Sequence, residues 1–304
     1  MVNKIRIGWI GVGLMGHGAA KNLVNSGYEV YILGNKNRGP INDLCAHGAR
    51  EANDPKDIAQ KCDTVFSCLP STSVVKQVVY GPKGLIEAAR PGLTFVDCTT
   101  SEPAATIDMA KDLAARGSVM LDAPFSRTPK EAEEGRLNCM VGGDRNHFNQ
   151  LQPILSTFCE NIFHVGPIGA GHQLKLFNNL LSMCGTALVA EATAAAAKCG
   201  IDLQTFYDVV SVGGGDSRSF RVMLPWALEG NASLHQAALS IGIKDLDMFI
   251  RTAEKKGAPT SMAKTAIRIF DLAKTRGYGE CHMPQLSQVL AAEVGAHIRK
   301  INRK

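Results

Sequence analysis

The stretch KIRIGWIGVGLMGHGAAKNL, from Lys4 to Leu23, decides the fold of this chain. Its opening letters KIRIGWIG predict a buried β-strand, and the residues from Gly13 to Ser26 predict a helix. Between them Gly11, Gly13 and Gly16 form the pattern G-x-G-x-x-G, which provides a tight turn, close backbone approach to a pyrophosphate and close helix–strand packing. The stretch therefore predicts a dinucleotide-binding strand, loop and helix, with a plain tight turn as the weaker alternative.

The first half of the chain alternates between strand-like and helix-like segments. Helical patterns run from Glu102 to Arg116 and from Asp144 to Phe158. The strand-like segments are short and rich in β-branched residues: EVYIL, DTVFSCL, LTFVDC, VMLDAP, LNCMVGG and NIFHVG. Strands that alternate with helices indicate an α/β fold with a doubly wound, mainly parallel sheet of the Rossmann type.

The pattern changes after the stretch GPIGAG, from Gly166 to Gly171. A proline-free helical pattern, rich in Ala and Leu, runs from His172 to Lys198 and stops at Gly200. Four later segments are also helical in pattern: Leu203–Val210, Ile241–Lys256, Ser261–Arg276 and Pro284–Ile298. We therefore predict a Rossmann-type domain over residues 1–166 and an all-α domain over residues 167–304, linked by the long helix.

Composition restricts the classes of protein to be considered. Apolar residues make up 45% and charged residues 20%, as in soluble globular proteins. No uncharged apolar run of about 18 residues occurs, and the N-terminus enters a strand pattern without an apolar leader. The nine cysteines are scattered singly, without the Cys/His spacing of a metal site, which favours a reducing compartment. These features predict a cytoplasmic protein with no membrane span and no metal.

The charge pattern bears on macromolecular partners. The net charge of +5 is mild, and the Lys and Arg residues are interspersed with Asp and Glu. Aromatic residues make up only 6%, so few side chains could stack on bases. We therefore expect no nucleic-acid partner, and the basic tail HIRKINRK is predicted to be a solvated helix end.

The residues after the second predicted strand bear on which dinucleotide binds. An NAD site usually has an Asp or Glu there, which binds the ribose hydroxyls. Here the sequence is YILGNKNRGP, and no carboxylate lies between Glu29 and Asp43. Asn35, Lys36 and Arg38 would instead suit a 2′-phosphate, so we predict NADP, with NAD as the second option. A solvated polar loop is the alternative.

Several blocks of sequence resemble the β-hydroxyacid dehydrogenase family, to which 3-hydroxyisobutyrate dehydrogenase belongs. They are GWIGVGLMG, similar to the glycine fingerprint; DCTTSEP, similar to the loop under the nicotinamide; DAPFSRTPKEAEEGRLNCMVGG, similar to the substrate block; GAGHQLKLFNN, similar to the catalytic block; and IKDLDM, with the Lys-Asp-Leu of the second domain. The order and spacing of these blocks, from Gly8 to Met248, argue against a chance match.

The resemblance implies roles for the matching residues. Lys175 would be the catalytic lysine, and Asn179, one helical turn away, would hold the substrate beside it. In carbonyl reduction the lysine would donate the proton as hydride arrives; in alcohol oxidation it would accept the proton, which requires a lowered pKa.

Lys244 would close over the nicotinamide, although a surface pair with Asp245 is the alternative. The cofactor would be lined by Gly11, Val12, Gly13, Leu14 and Met15 at the pyrophosphate and by Leu69, Pro70 and Thr100 at its far half.

Two departures from the family pattern affect the cofactor and the roof of the site. Gly34 and Asn35 replace the usual Asn-Arg after the second strand, so the NADP prediction depends on Lys36 and Arg38. Gln236 stands where an aromatic residue is frequent, eight residues before the Lys-Asp pair. The resemblance therefore implies a more polar roof over the active site than in other members.

A third departure lies in the substrate block, where Ser126, Arg127 and Thr128 replace the usual Ser-Gly-Gly. In ordinary members the glycines let backbone N–H groups approach a substrate carboxylate, and members that reduce sulfolactaldehyde have a similar Gly-Arg-Thr. The resemblance implies that these three residues bind a larger, more charged head group, such as a sulfonate or phosphonate. The alternative is that Arg127 faces outward or pairs with Glu131 or Glu134.

The sequence thus predicts an NADP-dependent oxidoreductase that transfers hydride between the nicotinamide and a small anionic hydroxy acid or semialdehyde. Imine reductases of this fold generally replace the lysine, and non-catalytic cofactor-binding interaction proteins of this fold lack it, so Lys175 and Asn179 argue against both alternatives. The Ala-rich central helix predicts a homo-oligomer, a dimer or tetramer, by analogy. The sequence assigns no role to His172.

Overall fold

The computed structural model of the protein describes residues 5–230 and 237–298. The chain divides into two compact units, Met1–Lys175 and Leu176–Lys304. This division lies inside the long central helix, a little beyond the boundary predicted at Gly166.

The first unit is built on a mainly parallel sheet. In the described part of the chain the sheet has nine strands, in the order β3-β2-β1-β4-β5-β6-β8-β7, with β9 paired to β8. The strands β1 to β9 are Arg6–Ile10, Glu29–Leu33, Arg50–Glu51, Thr64–Ser67, Thr94–Asp97, Val119–Asp122, Phe125–Ser126, Leu137–Gly142 and Cys159–Gly166. All neighbours from β3 to β6 are parallel, whereas β8 runs antiparallel to β6 and β7. The predicted doubly wound sheet is confirmed.

Apolar side chains cover both faces of this sheet. On β4 and β5, Phe66 and Val96 join one core cluster, and their chain neighbours Val65 and Phe95 join the other. Trp9 lies at the centre of the first cluster, where it is completely buried and stacks on Phe66 with 5.3 Å between ring centroids. Because both faces are covered, polar chemistry in this unit concentrates at the ends of the strands.

Seven helices lie in the described residues of the first unit before the long helix. The helices α1 to α7 are Leu14–Asn25, Arg38–Ala46, Pro55–Lys61, Thr72–Tyr80, Pro103–Ala114, Pro129–Glu133 and Arg145–Leu155. The short helices α2, α3 and α4 were not predicted, since fewer than three turns give little periodicity. Their N-caps are nevertheless present in the sequence: Asn37, Asp54 and Ser71 each accept a backbone N–H bond from the first turn.

The second unit is helical in its described residues. The helices α8 to α13 are Ala170–Lys198, Leu203–Val210, Arg218–Glu229, Leu239–Glu254, Ser261–Thr275 and Leu286–Glu293. Helix α10 was not predicted, because Pro225 interrupts its pattern, although Ser217 caps it and accepts a bond from the Phe220 N–H. Helix α13 ends earlier than predicted, at a turn in which Gly295 has φ +67°. The predicted all-α second domain is confirmed.

Helix α8 begins in the first unit and continues through the second. It is long and apolar enough to cross a membrane by length and composition, with a mean hydropathy of 1.5 in an 18-residue window. However, 44% of that window is buried within the protein. One helix of this kind is weak support for a membrane span, since the core helix of a soluble protein has the same properties.

Candidate active site

The loop between β1 and α1 contains the glycine pattern. Gly11 has φ +95°, and a Cβ atom there would overlap the carbonyl oxygen of Cys68. A Cβ atom on Gly16 would overlap the carbonyl oxygen of Gly11. The protein's own backbone therefore requires glycine at both positions.

Gly13 differs from the other two glycines of the loop. Nothing lies within 4 Å of the position that its Cβ atom would occupy, and it is the N-cap of α1 without a side-chain capping bond. No acidic residue lies in the first turn of α1, where Leu14 is exposed. The space beside Gly13 and the helix N-terminus fit a pyrophosphate, which backbone N–H groups and the helix dipole would bind.

A hydrogen bond joins the loop after β4 to the loop after β5, the two strands that follow β1 in the order of the sheet. The backbone N–H of Leu69 donates to Oγ1 of Thr99 at 3.0 Å. Pro70 is exposed beside this bond, and Thr100 is half-buried after β5. The structure therefore places Leu69, Pro70 and Thr100 on adjacent strand ends of one sheet, next to the strand that leads into the glycine loop.

The loop after β2 presents its polar residues to solvent. Asn35 and Lys36 are exposed, and Arg38 makes two hydrogen bonds to the carboxylate of Glu51 on β3, at 2.7 and 2.8 Å. The paired guanidinium holds the pKa of Glu51 below its usual range. A 2′-phosphate would therefore compete with Glu51 for Arg38. Sequence reasoning missed this partner because it lies on a strand of only two residues.

Arg127 follows β7 with an unusual backbone. Its φ is +86°, in the left-handed region that favours glycine. Its guanidinium forms an ion pair with Glu160 and donates to the carbonyl oxygen of Arg136 at 2.5 Å. Glu160 lies where the register of β9 on β8 shifts by one residue, between the pairs Leu137–Cys159 and Asn138–Asn161. The predicted alternative partners, Glu131 and Glu134, are wrong: the ion pair is with Glu160.

Glu131 and Glu134 have other roles. The Glu131 carboxylate accepts bonds from the backbone N–H of Thr128, at 3.1 Å, and from the Thr128 hydroxyl. Glu134 pairs with Arg136. Thr128 thus begins α6 as part of a capping box, which the spacing T-x-x-E could have indicated. Ser126 is half-buried at the end of β7.

Helix α6, which follows the loop of Arg127, is fixed against α1, which follows the glycine loop. A Cβ atom on Gly18 would overlap the backbone of Ala132, and Nδ2 of Asn22 donates to the Ala132 carbonyl oxygen at 3.0 Å. The imidazole of His17 lies 2.6 Å from Oε1 of Glu133. These contacts join the two helices that follow the predicted binding loops in the first unit.

The first turns of α8 hold the predicted catalytic lysine. The carboxylate of Asp122, at the end of β6, accepts bonds from the backbone N–H groups of Gly169 and His172, both at 2.7 Å. This carboxylate caps the helix and favours its positive N-terminus. Lys175 is half-buried one turn later. Its positive charge acts on the thiol of Cys68, whose pKa burial raises to about 12 and Lys175 partly lowers.

A second buried carboxylate lies beside this turn. Asp97, at the end of β5, is completely buried and accepts bonds from the hydroxyls of Ser67 and Ser101 at 2.9 and 2.8 Å. His172 is also completely buried and contacts Thr106. Sequence reasoning missed Asp97, Asp122 and His172 as a group, although the two aspartates end successive strands of a parallel sheet, which was a usable signal.

In the second unit, Asn179 belongs to a polar cluster. It is 7% exposed, and its Nδ2 donates to Oδ2 of Asp245 at 2.7 Å. The amide of Asn178 donates to Oδ1 of Asn179 at 3.0 Å. Nζ of Lys244 lies 3.0 Å from the other carboxylate oxygen of Asp245, so the pair stated as the alternative for Lys244 is present. Asp245 thereby fixes the orientation of the Asn179 amide.

Two further predictions bear on the site. Gln236, expected in its roof, lies outside the described residues. Across residues 5–230 and 237–298, no group of three or more His, Cys, Asp or Glu side chains could hold a metal ion.

The sequence is similar to known oxidoreductases along nearly its whole length. Residues 6–166 match the NAD binding domain of 6-phosphogluconate dehydrogenase, and residues 169–290 match the NAD-binding domain of NADP-dependent 3-hydroxyisobutyrate dehydrogenase. The chain is 31% identical to 2-(hydroxymethyl)glutarate dehydrogenase of Eubacterium barkeri over 298 residues, which cover 98% of this chain and 99% of that protein.

Solved structures show the same relationship. The 3-hydroxyisobutyrate dehydrogenase ygbJ of Salmonella typhimurium superposes with a TM-score of 0.84 at 29% identity, covering 95% of this chain and 99% of that one. Psf3 in complex with NADP⁺ and 2-OPP superposes with a TM-score of 0.82 at 26% identity, covering 93% and 99%. The predicted family resemblance and the NADP or NAD cofactor are confirmed.

Proposed function

Because the chain belongs to the β-hydroxyacid dehydrogenase family, we propose that it transfers hydride between NADP(H) and a small anionic hydroxy acid or semialdehyde, with Lys175 as general acid–base. The family makes it an NAD(P)-dependent dehydrogenase acting on CH–OH groups. The observation that carries the finer proposal is the arrangement on α8, where Lys175 and Asn179 lie four residues apart on one helix face.

The proposed chemistry follows from what these two side chains can do. The nicotinamide, when bound, supplies or accepts the hydride. The ammonium of Lys175 donates a proton to the carbonyl oxygen in reduction, and the neutral amine accepts it in oxidation. An amide has two N–H donors; Asn179 uses one on Asp245, and we propose that the other binds the same substrate oxygen.

For the substrate head group we propose Ser126, Arg127 and Thr128, with an anion of carboxylate, sulfonate or phosphonate type. The two contacts of Arg127 to Glu160 and Arg136 are both made by Nη1. A guanidinium has further donors on Nε and Nη2, which can bind two oxygens of a tetrahedral anion. Glu160 would then hold the arginine in place, and the anion would occupy its other edge.

For the cofactor we propose a preference for NADP over NAD through Lys36 and Arg38, with Asn35 beside them. The support is chemical: an exposed lysine and a guanidinium follow β2, and the sequence has no Asp or Glu between Glu29 and Asp43 to bind the ribose hydroxyls. The bond between Arg38 and Glu51 limits this preference, because binding the 2′-phosphate would exchange one anionic partner for another.

We also propose that the enzyme works in the cytoplasm as a homo-oligomer, a dimer or tetramer, through α8. Leu174, Leu181 and Leu188 repeat at every seventh residue of this helix and are 42%, 76% and 67% exposed. Such a stripe of large apolar side chains suits burial against a second copy. Sedimentation of the parent protein and of Leu181→Glu would test this, with a smaller assembly expected for the variant.

Lys175→Ala tests the proposed role of the lysine. General acid–base groups contribute about 10²–10⁴-fold, so kcat should fall by at least about 10²-fold while the NADP(H) dissociation constant stays within a few-fold. Activity is followed by NADPH absorbance against a panel of small hydroxy acids, semialdehydes, sulfonates and phosphonates.

Lys198→Ala, an exposed lysine at the end of the same helix, is the matched control and should retain full activity. If Lys175→Ala retains activity within a few-fold of the parent protein, the lysine is not the acid–base group.

A further inference from the structure

The two neighbours of the Asn179 amide have opposite hydrogen-bonding abilities. The carboxylate of Asp245 only accepts, and its Oδ2 lies 2.7 Å from Nδ2 of Asn179. The amide of Asn178 donates to Oδ1 of Asn179 at 3.0 Å. One neighbour therefore holds the nitrogen end of the Asn179 amide, and the other holds its oxygen end.

These contacts favour one orientation of the amide. Rotated by 180°, Asn179 would place Oδ1 against the Asp245 carboxylate at hydrogen-bond distance, and two acceptors repel each other in a buried site. Both side chains are buried, with Asn179 7% and Asp245 4% exposed. Nζ of Lys244 lies 3.0 Å from the other oxygen of Asp245, as expected for an ion pair. The directions of both bonds to Asn179 therefore follow from a carboxylate group.

The orientation decides what Asn179 can offer to a bound molecule. Both N–H groups of an amide are on its nitrogen, the end that Asp245 holds. One of them is used on the carboxylate, and the other is a donor. The acceptor, Oδ1, is used on Asn178.

We infer that Asn178 and Asp245 are positioning residues that keep Asn179 a hydrogen-bond donor towards the substrate, so that the site takes a reacting oxygen and rejects a protonated imine. This inference rests on the proposed function, in which Asn179 binds the substrate oxygen. A carbonyl, a hydroxyl and a developing alkoxide all have lone pairs that accept from an N–H. A protonated imine has an N–H and no lone pair, so two donors would face each other.

The donor matters most while charge develops on the oxygen. In carbonyl reduction the hydride adds to carbon, the π electron pair of the C=O bond moves to oxygen, and that oxygen takes a proton from Lys175. An N–H of Asn179 binds this oxygen more strongly in the transition state than in the neutral carbonyl. Loss of the donor orientation should therefore lower kcat more than it raises KM.

An exchange of the two neighbours tests the inference. In the double variant Asn178→Asp, Asp245→Asn the carboxylate and the amide change places, and the net charge stays that of the parent protein. Both bonds to Asn179 then form only when its amide is rotated by 180°, which turns Oδ1 towards the substrate. We expect kcat for carbonyl reduction to fall by about ten- to a hundredfold, the factor by which one hydrogen bond to a charged group shifts an equilibrium.

The single variants are the matched controls. Asp245→Asn keeps the donor Asn178, and Asn178→Asp, at an exposed position, keeps the carboxylate of Asp245. Each retains one group that favours the native orientation and should lose only a few-fold in kcat. The double variant should lose far more than the product of the two single losses, yet in denaturant unfolding it should be at least as stable as Asp245→Asn. A loss of kcat no larger than that product contradicts the inference, and so does a kcat that falls only together with stability.

A measurement on the parent protein does not depend on the folding of any variant. Oxidation of NADPH is followed with a small cyclic imine that carries a carboxylate, at a pH at which the imine is protonated, beside the best carbonyl substrate. We expect reduction of the imine to be at least about a hundredfold slower. Reduction within tenfold of the carbonyl rate would overturn the inference.

Failure of this inference is distinguishable from failure of the proposed function. If Lys175→Ala remains active while the double variant shows the expected loss, the lysine mechanism is wrong and the orientation of Asn179 stands. If Lys175→Ala is inactive and the double variant loses no more than its two single variants together, the mechanism stands and the inference is wrong.

Discussion

The loop after β1 and the loop after β7 are built in opposite ways. In the first, glycine occupies every position of the pattern, and backbone contacts alone explain Gly11 and Gly16. In the second, an arginine occupies a left-handed backbone position that suits glycine, and it is held by Glu160 from another strand. The comparison teaches that a backbone site can be recognised from local sequence, whereas a side-chain site depends on partners distant in the chain.

The largest effects are expected for alanine substitutions in the first loop, and they should differ between Gly11 and Gly13. Gly11→Ala places a Cβ atom against the Cys68 carbonyl at φ +95°, so the free energy of unfolding should fall by about 2–5 kcal/mol. Gly13→Ala meets no protein atom and should leave stability unchanged while weakening NADP(H) binding by about tenfold or more, since a methyl group would fill the pyrophosphate space. Denaturant unfolding and cofactor titration measure the two quantities. Equal losses of stability in the two variants would contradict the view that only Gly11 is required by the protein's own backbone.

The second expected effect is that of replacing Arg127 by glycine, which should leave the folded protein as stable or more stable but should weaken substrate binding. Arg127→Gly relieves a left-handed backbone that costs about 1–2 kcal/mol for most residues, and it loses an ion pair of about 0–1 kcal/mol near the surface. The variant should therefore unfold at the same or a higher temperature. It should nevertheless raise KM for sulfonates and phosphonates by an amount equivalent to about 2–5 kcal/mol of binding free energy. The rise in KM for carboxylates should be smaller.

Two variants control the Arg127 experiment. Arg127→Lys should restore only part of the loss in KM, since a point charge cannot reproduce the planar fork of a guanidinium. Arg136→Ala removes an exposed arginine nearby and should leave kcat/KM unchanged. A change in thermal stability without any change in kcat/KM for the substrate panel would make Arg127 a purely structural residue.

A third, smaller effect concerns the loop after β2. The double variant Lys36→Ala, Arg38→Ala should lose about ten- to a hundredfold of the preference for NADP(H) over NAD(H), because charge-assisted bonds to the 2′-phosphate are removed. Arg50→Ala is the matched control, because it removes another exposed arginine, one that lies on β3 and pairs with Glu29 at the start of β2. Equal affinity of the parent protein for both cofactors would contradict the proposed preference.

The smallest effect tests whether Glu51 competes for Arg38. Glu51→Gln should tighten NADP(H) binding by about two- to fivefold, within the range of an exposed ion pair, and should leave NAD(H) binding unchanged. Arg38 lowers the pKa of Glu51, so the carboxylate stays charged through neutral pH, and the competition is lost only as pH falls through that lowered value. As the pH is lowered from 7, NADP⁺ binding by the parent and the variant should therefore converge only below the ordinary glutamate pKa of about 4.3.

The sequence predicted the parts of this protein that depend on local pattern. The strand, glycine loop and helix around Gly13, the alternating sheet and the long helix with Lys175 and Asn179 all follow from periodicity and spacing. The short helices and the two-residue strand that carries Glu51 were missed, since such segments have almost no periodicity. Glu160 and His172 could not be assigned from sequence, because their contacts arise from a register shift and from the ends of two separate strands.

The cap on α8 also bears on the order in which the chain folds. Asp122 and the backbone groups that it accepts from, Gly169 and His172, are separated by 47 and 50 residues. A contact of that separation carries a loop-closure cost, so we expect it to form after the local turns of α8 rather than with them. The turn that presents Lys175 is therefore complete only when the end of β6 is in place.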